Sequence, residues 1–153
     1  MKELFEHLME EHQTVQKLME KIDASSTRGM KARMESFGKL KIEIIPHMKA
    51  EEAVLYEQLM QKATGKMKEL TLMAFEEHRV AEMLLQELEQ LPMDDERWKA
   101  LFSVFMTNVM HHVEEEEEMV FPMAQNKLRD RQVEEMYDEY ESQEEGLKIR
   151  MAA

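Results

Sequence analysis

The chain has 153 residues, enough for one domain with a real hydrophobic core, and its richness in Ala, Leu, Met, Glu and Lys with few Gly and Pro favours helix throughout. A net charge of −13 argues against the basic footprint that nucleic-acid binding needs, and 43% apolar content argues against an acidic disordered chain. The absence of cysteine excludes disulfides, thiolate metal sites and cysteine nucleophiles.

A first helix is expected over about residues 2–23, where Leu4, Phe5, Leu8, His12, Val15, Met19 and Ile22 step by three or four. The start of the chain, Met1-Lys2-Glu3-Leu4-Phe5-Glu6, lacks the apolar run of a signal peptide. No stretch approaches the length of a transmembrane helix, so a cytoplasmic protein without a membrane partner is expected. After a turn at Ser25, Ser26, Thr27 and Gly29, a second helix covers about residues 31–61 with Phe37, Leu40, Ile44, His47, Glu51, Leu55 and Leu59 in line. Pro46 lies inside it and should kink it beside His47.

Thr64-Gly65 ends that helix, and a third follows over about residues 66–90 with Leu70, Ala74, His78, Ala81, Leu85 and Leu88 aligned. Pro92 stops it, and Asp94 or Asp95 can cap a fourth helix over about residues 96–127, whose stripe is Leu101, Phe105, Val109, His112, Glu116, Val120 and Met123. A shorter amphipathic segment carries Val133, Met136, Tyr137, Tyr140 and Leu147, as a fifth helix on the bundle or as a surface for a partner or an oligomer. Four long helices joined by short turns predict an all-α fold, an antiparallel up-down four-helix bundle over residues 1–127 with an additional C-terminal helix and tail over residues 128–153.

The histidines repeat. Glu10-Glu11-His12 recurs as Glu76-Glu77-His78, and His47 recurs as His112, as if two helical hairpins were related by a pseudo-twofold axis. A histidine on an apolar face costs free energy unless something satisfies it. On a helix of about 100° per residue, positions i and i+4 differ by only about 40°, so His47 projects with Glu51, His78 with Glu82 and His112 with Glu116. Positions i+5, which are Glu52 and Glu117, should point elsewhere unless the helix is locally distorted.

The seven donors His12, His47, Glu51, His78, Glu82, His112 and Glu116 exceed one tetrahedral zinc site and suit two metals sharing carboxylates. Nitrogen and oxygen ligation without sulfur favours iron, with manganese or zinc also compatible. His7 and His111 face other ways and read as surface groups or as supports for the ligands. The five glutamates of residues 114–118 read mostly as a solvated face, and most of the 17 methionines as core filler. The Glu-x-x-His signature of ferritin-like di-iron bundles is absent, because Met9, Ile44, Phe75 and Val109 occupy the positions three before the histidines.

In the order His12, His47-x-x-x-Glu51, His78-x-x-x-Glu82, His112-x-x-x-Glu116, the chain resembles the hemerythrin-like family, also called HHE cation-binding domains, over about residues 1–127. The resemblance implies a four-helix bundle holding two iron ions (Fe2+/Fe3+) under an oxo or hydroxo bridge. It implies Glu51 and Glu116 as bridging ligands and the four histidines as terminal ones. Oxygen-carrying hemerythrins have a histidine where this chain has Glu82, and a carboxylate five residues after the last histidine, which here is Glu117, the alternative to Glu116. The pattern is closer to the bacterial hemerythrin-like branch, which includes sensors, peroxide- or nitric-oxide-reactive proteins and iron-centre repair proteins. The expected function is binding of O2, NO or a related small oxidant for storage, sensing or scavenging. The alternatives are an enzyme acting on peroxide, NO or ferrous iron, and an iron donor or repair protein.

Overall fold

A computed structural model describes residues 3–153, and every regular element among them is helical. Helix α1 spans Glu3–Asp23 and buries Leu4, Phe5, Leu8, His12, Val15, Met19 and Ile22, the stripe its periodicity predicts. Lys2, the expected first residue of that helix, lies outside the described residues. A single 3-10 turn, Thr27–Gly29, leads into α2, Met30–Glu51. Pro46 sits inside α2. A π-helical turn, Glu52–Tyr56, joins α2 to α3, Glu57–Lys62.

Gly65 begins α4, Gly65–Gln90, with φ of 55°, a left-handed conformation that lets the chain reverse sharply after Thr64. Helix α5, Glu96–Glu115, starts at Asp95, whose side chain accepts a hydrogen bond from the Arg97 backbone. A second π-helical turn, Glu116–Val120, leads into α6, Phe121–Lys127. Helix α7, Asp130–Ala152, packs on α1 and α2. Its Val133, Met136 and Tyr140 are buried in the same cluster as Leu4, Phe5, Leu59 and Phe121, so its apolar face is used within the chain.

The core divides into two apolar halves. One half gathers Leu8, Leu55, Leu59, Leu70, Ala74 and Phe121, and the other gathers Val15, Ile44, Ala81, Phe102, Phe105 and Val109. In α1, His12 separates Leu8 from Val15, and in α4, His78 separates Ala74 from Ala81. Along α2 the change of cluster falls between Met48 and Ala50, just past His47, and beyond α5 it is complete by Val120, eight residues after His112. A polar layer thus separates the two apolar clusters.

The end remote from this layer is tied by Arg33. Its buried guanidinium donates to Ser25 Oγ at 2.8 Å, to the Ser25 carbonyl at 3.0 Å and to the Met93 carbonyl at 2.8 Å, and it lies 5.1 Å over the Trp98 ring. One side chain thereby satisfies backbone acceptors in both loops at that end. No helix among the described residues is long and apolar enough to cross a membrane.

Candidate metal centre

Six of the expected donors converge. His12, His47, Glu51 and Glu116 form one group and Glu51, His78, His112 and Glu116 a second, with the ligand atoms of each group within 4.8 Å of one another. All six residues are buried, Glu51 at 0% and Glu116 at 1% exposure. The two carboxylates belong to both groups and divide their oxygens between them. Glu51 Oε2 lies 3.6 Å from His47 Nε2 and Oε1 lies 3.2 Å from His78 Nε2. Glu116 Oε1 lies 3.1 Å from His12 Nε2 and Oε2 lies 3.4 Å from His112 Nε2. Such a carboxylate can bind one cation through each oxygen, which is how two ions share a ligand.

Each imidazole is turned so that Nε2 faces the centre while Nδ1 is held by a carboxylate. Glu117 Oε2 lies 2.7 Å from His12 Nδ1, Glu11 Oε1 3.0 Å from His47 Nδ1, Glu52 Oε2 2.9 Å from His78 Nδ1 and Glu77 Oε1 2.9 Å from His112 Nδ1. An Nδ1–H donated to a carboxylate leaves the Nε2 lone pair free and makes it a stronger base. The supports obey the same repeat as the convergent donors: Glu11 and Glu77 precede histidines on α1 and α4 and hold the histidines of α2 and α5, while Glu52 and Glu117 do the reverse.

The two π-helical turns explain how Glu52 and Glu117 take part. At about 100° per residue they would point away from Glu51 and Glu116. The wider turns at Glu52–Tyr56 and Glu116–Val120 are local distortions of the helix. They let the adjacent glutamates of each pair serve the centre together, one inward and one on a neighbouring imidazole.

Glu82, expected as a donor, is not among the convergent residues; its carboxylate pairs with Lys49 Nζ at 2.8 Å at the edge of the bundle. Its place one turn from His78 brings it near the layer but onto the flank facing α2. His111 is exposed beside Glu77 and Glu115. His7 is half-buried beside Glu11 and Glu144.

Tyr56 has no place in the donor set expected from spacing. Its hydroxyl sits amid the second group, donating to Glu116 Oε2 or to Glu51 Oε1 at 2.9 Å, and lies 3.2 Å from His78 Nε2 and 3.3 Å from His112 Nε2. The repeat that carries His47 onto His112 carries Tyr56 onto Phe121, whose ring stacks on His12 at 5.9 Å. The two halves are therefore unlike. Within the first group, His12 Nε2, Glu51 Oε2 and Glu116 Oε1 are buried and have no hydrogen-bond partner. Buried polar atoms are rarely left so, and three of them converging as nitrogen and oxygen donors fit a cation.

Proton affinities report the same concentration of charge. Burial alone would lower the pKa of His12, but its contacts with Glu116 and Glu117 override this and raise it to about 9. His78 and His112 are raised against burial in the same way by the carboxylates around them. Burial would push Glu116 up, yet His112 and His12 hold it well below the usual carboxylate range. Burial, with Glu116 and Glu51 alongside, pushes the Tyr56 phenol well above its ordinary value.

Two openings reach this layer. A cavity of about 20 Å³ is lined by all four imidazoles together with apolar side chains such as Val15, Ile44, Ala81 and Val109. A broader cleft of about 850 Å³ reaches His12 and Glu117 past Gln13, Met106, Met110 and Glu114.

Comparison with known proteins places this arrangement. The family model described as the hemerythrin HHE cation binding domain matches residues 3–124. Among solved structures, the crystal structure of a hemerythrin HHE cation binding domain-containing protein from Mycobacterium kansasii is similar at 25% identity, with a TM-score of 0.80 over 97% of this chain and 88% of that one. The search of curated proteins found no match.

Proposed function

The chain belongs to the hemerythrin HHE cation-binding family, and from that premise we propose that it is a non-haem di-iron protein that binds O2, NO or a related small oxidant. The observation that carries this reading is the pair of buried donor groups sharing Glu51 and Glu116. Four imidazoles and two carboxylates without sulfur suit iron, and two shared carboxylates suit two ions rather than one. We also read the four long helical segments as an antiparallel up-down bundle with α7 as an additional helix, in keeping with the repeat of the ligands between the two halves of the chain.

In the loaded protein His12, His47, Glu51 and Glu116 would hold one ion, and Glu51, His78, His112 and Glu116 the other. Tyr56 Oη is a further oxygen donor on the second side. Bound iron would supply reversible one-electron chemistry and a binding position for a small oxidant. The chain's own residues set the rest. Glu117, Glu11, Glu52 and Glu77 orient the four imidazoles through Nδ1. Val15, Ile44, Ala81 and Val109 keep the space beside them apolar. That space is about the volume one water needs, which suits a small inorganic oxidant better than an organic substrate. The cleft past Met106 and Met110 supplies a route toward His12.

Anaerobic loading with ferrous iron followed by addition of O2, NO or peroxide tests this. Two ions per chain and a visible spectrum that changes with at least one of the three are expected. Full loading with a spectrum indifferent to all three would remove the reading.

A second reading is turnover of peroxide, NO or ferrous iron at the same centre, and Tyr56 favours it. A hydroxyl that can donate its one hydrogen bond to either shared carboxylate, on the second side alone, makes the two metal positions inequivalent. Many turnovers of peroxide by the loaded protein, altered in Tyr56→Phe, would support this reading. Reaction limited to one equivalent in the parent protein would sink it.

A further inference from the structure

Outside the centre, a second set of donors converges where α1 meets α7. His7 Nε2 lies 3.6 Å from Glu11 Oε2 and 4.0 Å from Glu144 Oε1, and the three ligand atoms fall within 4.8 Å of one another. The His7 nitrogen is buried and has no hydrogen-bond partner. Its ring is held edge-on by Tyr137 at 5.4 Å and Tyr140 at 5.9 Å, which fixes the direction of Nε2 toward the two carboxylates. Both carboxylates are fixed as well. Tyr140 Oη donates to Glu11 Oε1 and lies 3.2 Å from Glu144 Oε2, so each glutamate turns one oxygen to Tyr140 and the other toward His7.

These separations are too long for hydrogen bonds but fall within the range of the main centre, where histidine Nε2 atoms and glutamate oxygens stand 3.1 to 4.0 Å apart. Donors at metal-ligand distances of about 2.1 Å on a tetrahedral ion would stand roughly 3.4 Å from each other. Glu144 is buried at 7% exposure and already faces one cation, Lys148 Nζ, 3.9 Å from Oε1. Lys148 also reaches Glu43 Oε2 at 3.5 Å, so it can leave Glu144 without losing a partner.

We propose that His7, Glu11 and Glu144 form a third cation site, for a divalent ion of the manganese, iron or zinc class, at the outer edge of the bundle. One imidazole and two carboxylates are a donor set for such ions. With only three protein donors, and water able to complete the coordination, it holds its ion more weakly than the buried centre. Glu11 is common to both places: its Oε1 orients His47 while its Oε2 faces His7. The site does not depend on what small molecule the centre binds.

Titration of the full-length protein with Mn2+, with the free ion followed by electron paramagnetic resonance, tests the proposal. Three ions per chain are expected, two tight and one weaker. His7→Asn and Glu144→Gln should each bind two, retention of the tight pair reporting an intact fold. A parent protein that stops at two, or a third ion that survives in both variants, would overturn the site. A crystal of the parent protein grown with Mn2+ decides without any variant: an anomalous peak among His7, Glu11 and Glu144 is expected, and none there refutes it. Loss of the tight pair with the third ion retained would instead refute the reading of the main centre alone.

Discussion

At the scale of single residues, the sharing of Glu51 and Glu116 separates their contribution from that of the histidines. Each of these two carboxylates faces donors of both groups, whereas His12 belongs to one. Glu51→Ala is therefore expected to reduce iron from two ions per chain to less than one, and His12→Ala to reduce it to about one, as metal analysis after anaerobic loading would read. Glu82→Gln should leave two ions bound, because Lys49, not the centre, is its partner. A loss of iron in Glu82→Gln comparable to that in Glu51→Ala would place the third glutamate back in the ligand set. The sequence offers Glu82 on the same helical argument as Glu51 and Glu116. What differs is the flank: a step of about 40° from His78 turns inward or outward according to which neighbour lies beside the helix, and spacing alone does not contain that neighbour.

At the scale of elements, α1 shows how far a sequence can be read. Its seven predicted stripe residues are its buried residues, because a regular helix on a flat interface leaves no freedom to its periodicity. The π-helical turns mark where the reading stops. On regular geometry Glu52 and Glu117 point away from the centre and Tyr56 falls outside the expected donors, because the stripe assumes about 3.6 residues per turn. A signal is nonetheless present. Glu51-Glu52 recurs as Glu116-Glu117 and Glu11 as Glu77, so the repeat keeps the glutamates that hold the imidazoles together with those that face the centre. Since Glu117 orients His12 through Nδ1, Glu117→Ala should weaken iron binding by roughly 10- to 100-fold, with part of the loss recovered in Glu117→Gln, which keeps an acceptor. Equal affinity of parent and Glu117→Ala in a competitive chelator titration would show that the contact does not orient the ligand.

The loop clamp belongs to the same scale. Arg33 stands fourteen residues before His47, about 20 Å along the helix at about 1.5 Å per residue, so it serves the fold and not the centre. Its removal leaves the Ser25 and Met93 carbonyls without a charged donor. Arg33→Ala is expected to cost about 3 kcal/mol in urea unfolding of the apoprotein while iron stoichiometry stays at two. A variant that lost iron without losing stability would contradict this division of labour.

For the molecule as a whole, the polar layer exchanges one means of neutralising its carboxylates for another. Without metal, the charge of Glu116 is balanced by protons on His12 and His112, and His12 holds its proton up to about 9. Its folded pKa lies above the unfolded value of 6.5, so the stability this confers is fully present below pH 6.5 and disappears as pH rises through about 9. For His12 alone the amount is about 3 kcal/mol, since each tenfold gain in proton affinity on folding is worth about 1.4 kcal/mol. His78 and His112 are raised as well, so they act in the same direction. Glu144, pushed up to about 8 by burial and by Glu11, also binds its proton more tightly in the folded state and adds to the loss as pH rises.

Metal requires the reverse state, an imidazole whose Nε2 has given up its proton, so occupancy is favoured as pH rises across the same interval. The apoprotein should therefore melt at progressively lower temperature between pH 6.5 and about 9, while the stabilisation gained on loading with metal grows. Parallel thermal unfolding of apo and loaded protein at matched pH and ionic strength measures both. Two curves that ran parallel across that interval would mean that protons and metal do not compete for the same nitrogens. Curves that diverge, with the divergence reduced in a His12→Gln variant, would tie the competition to the layer that interrupts the hydrophobic core.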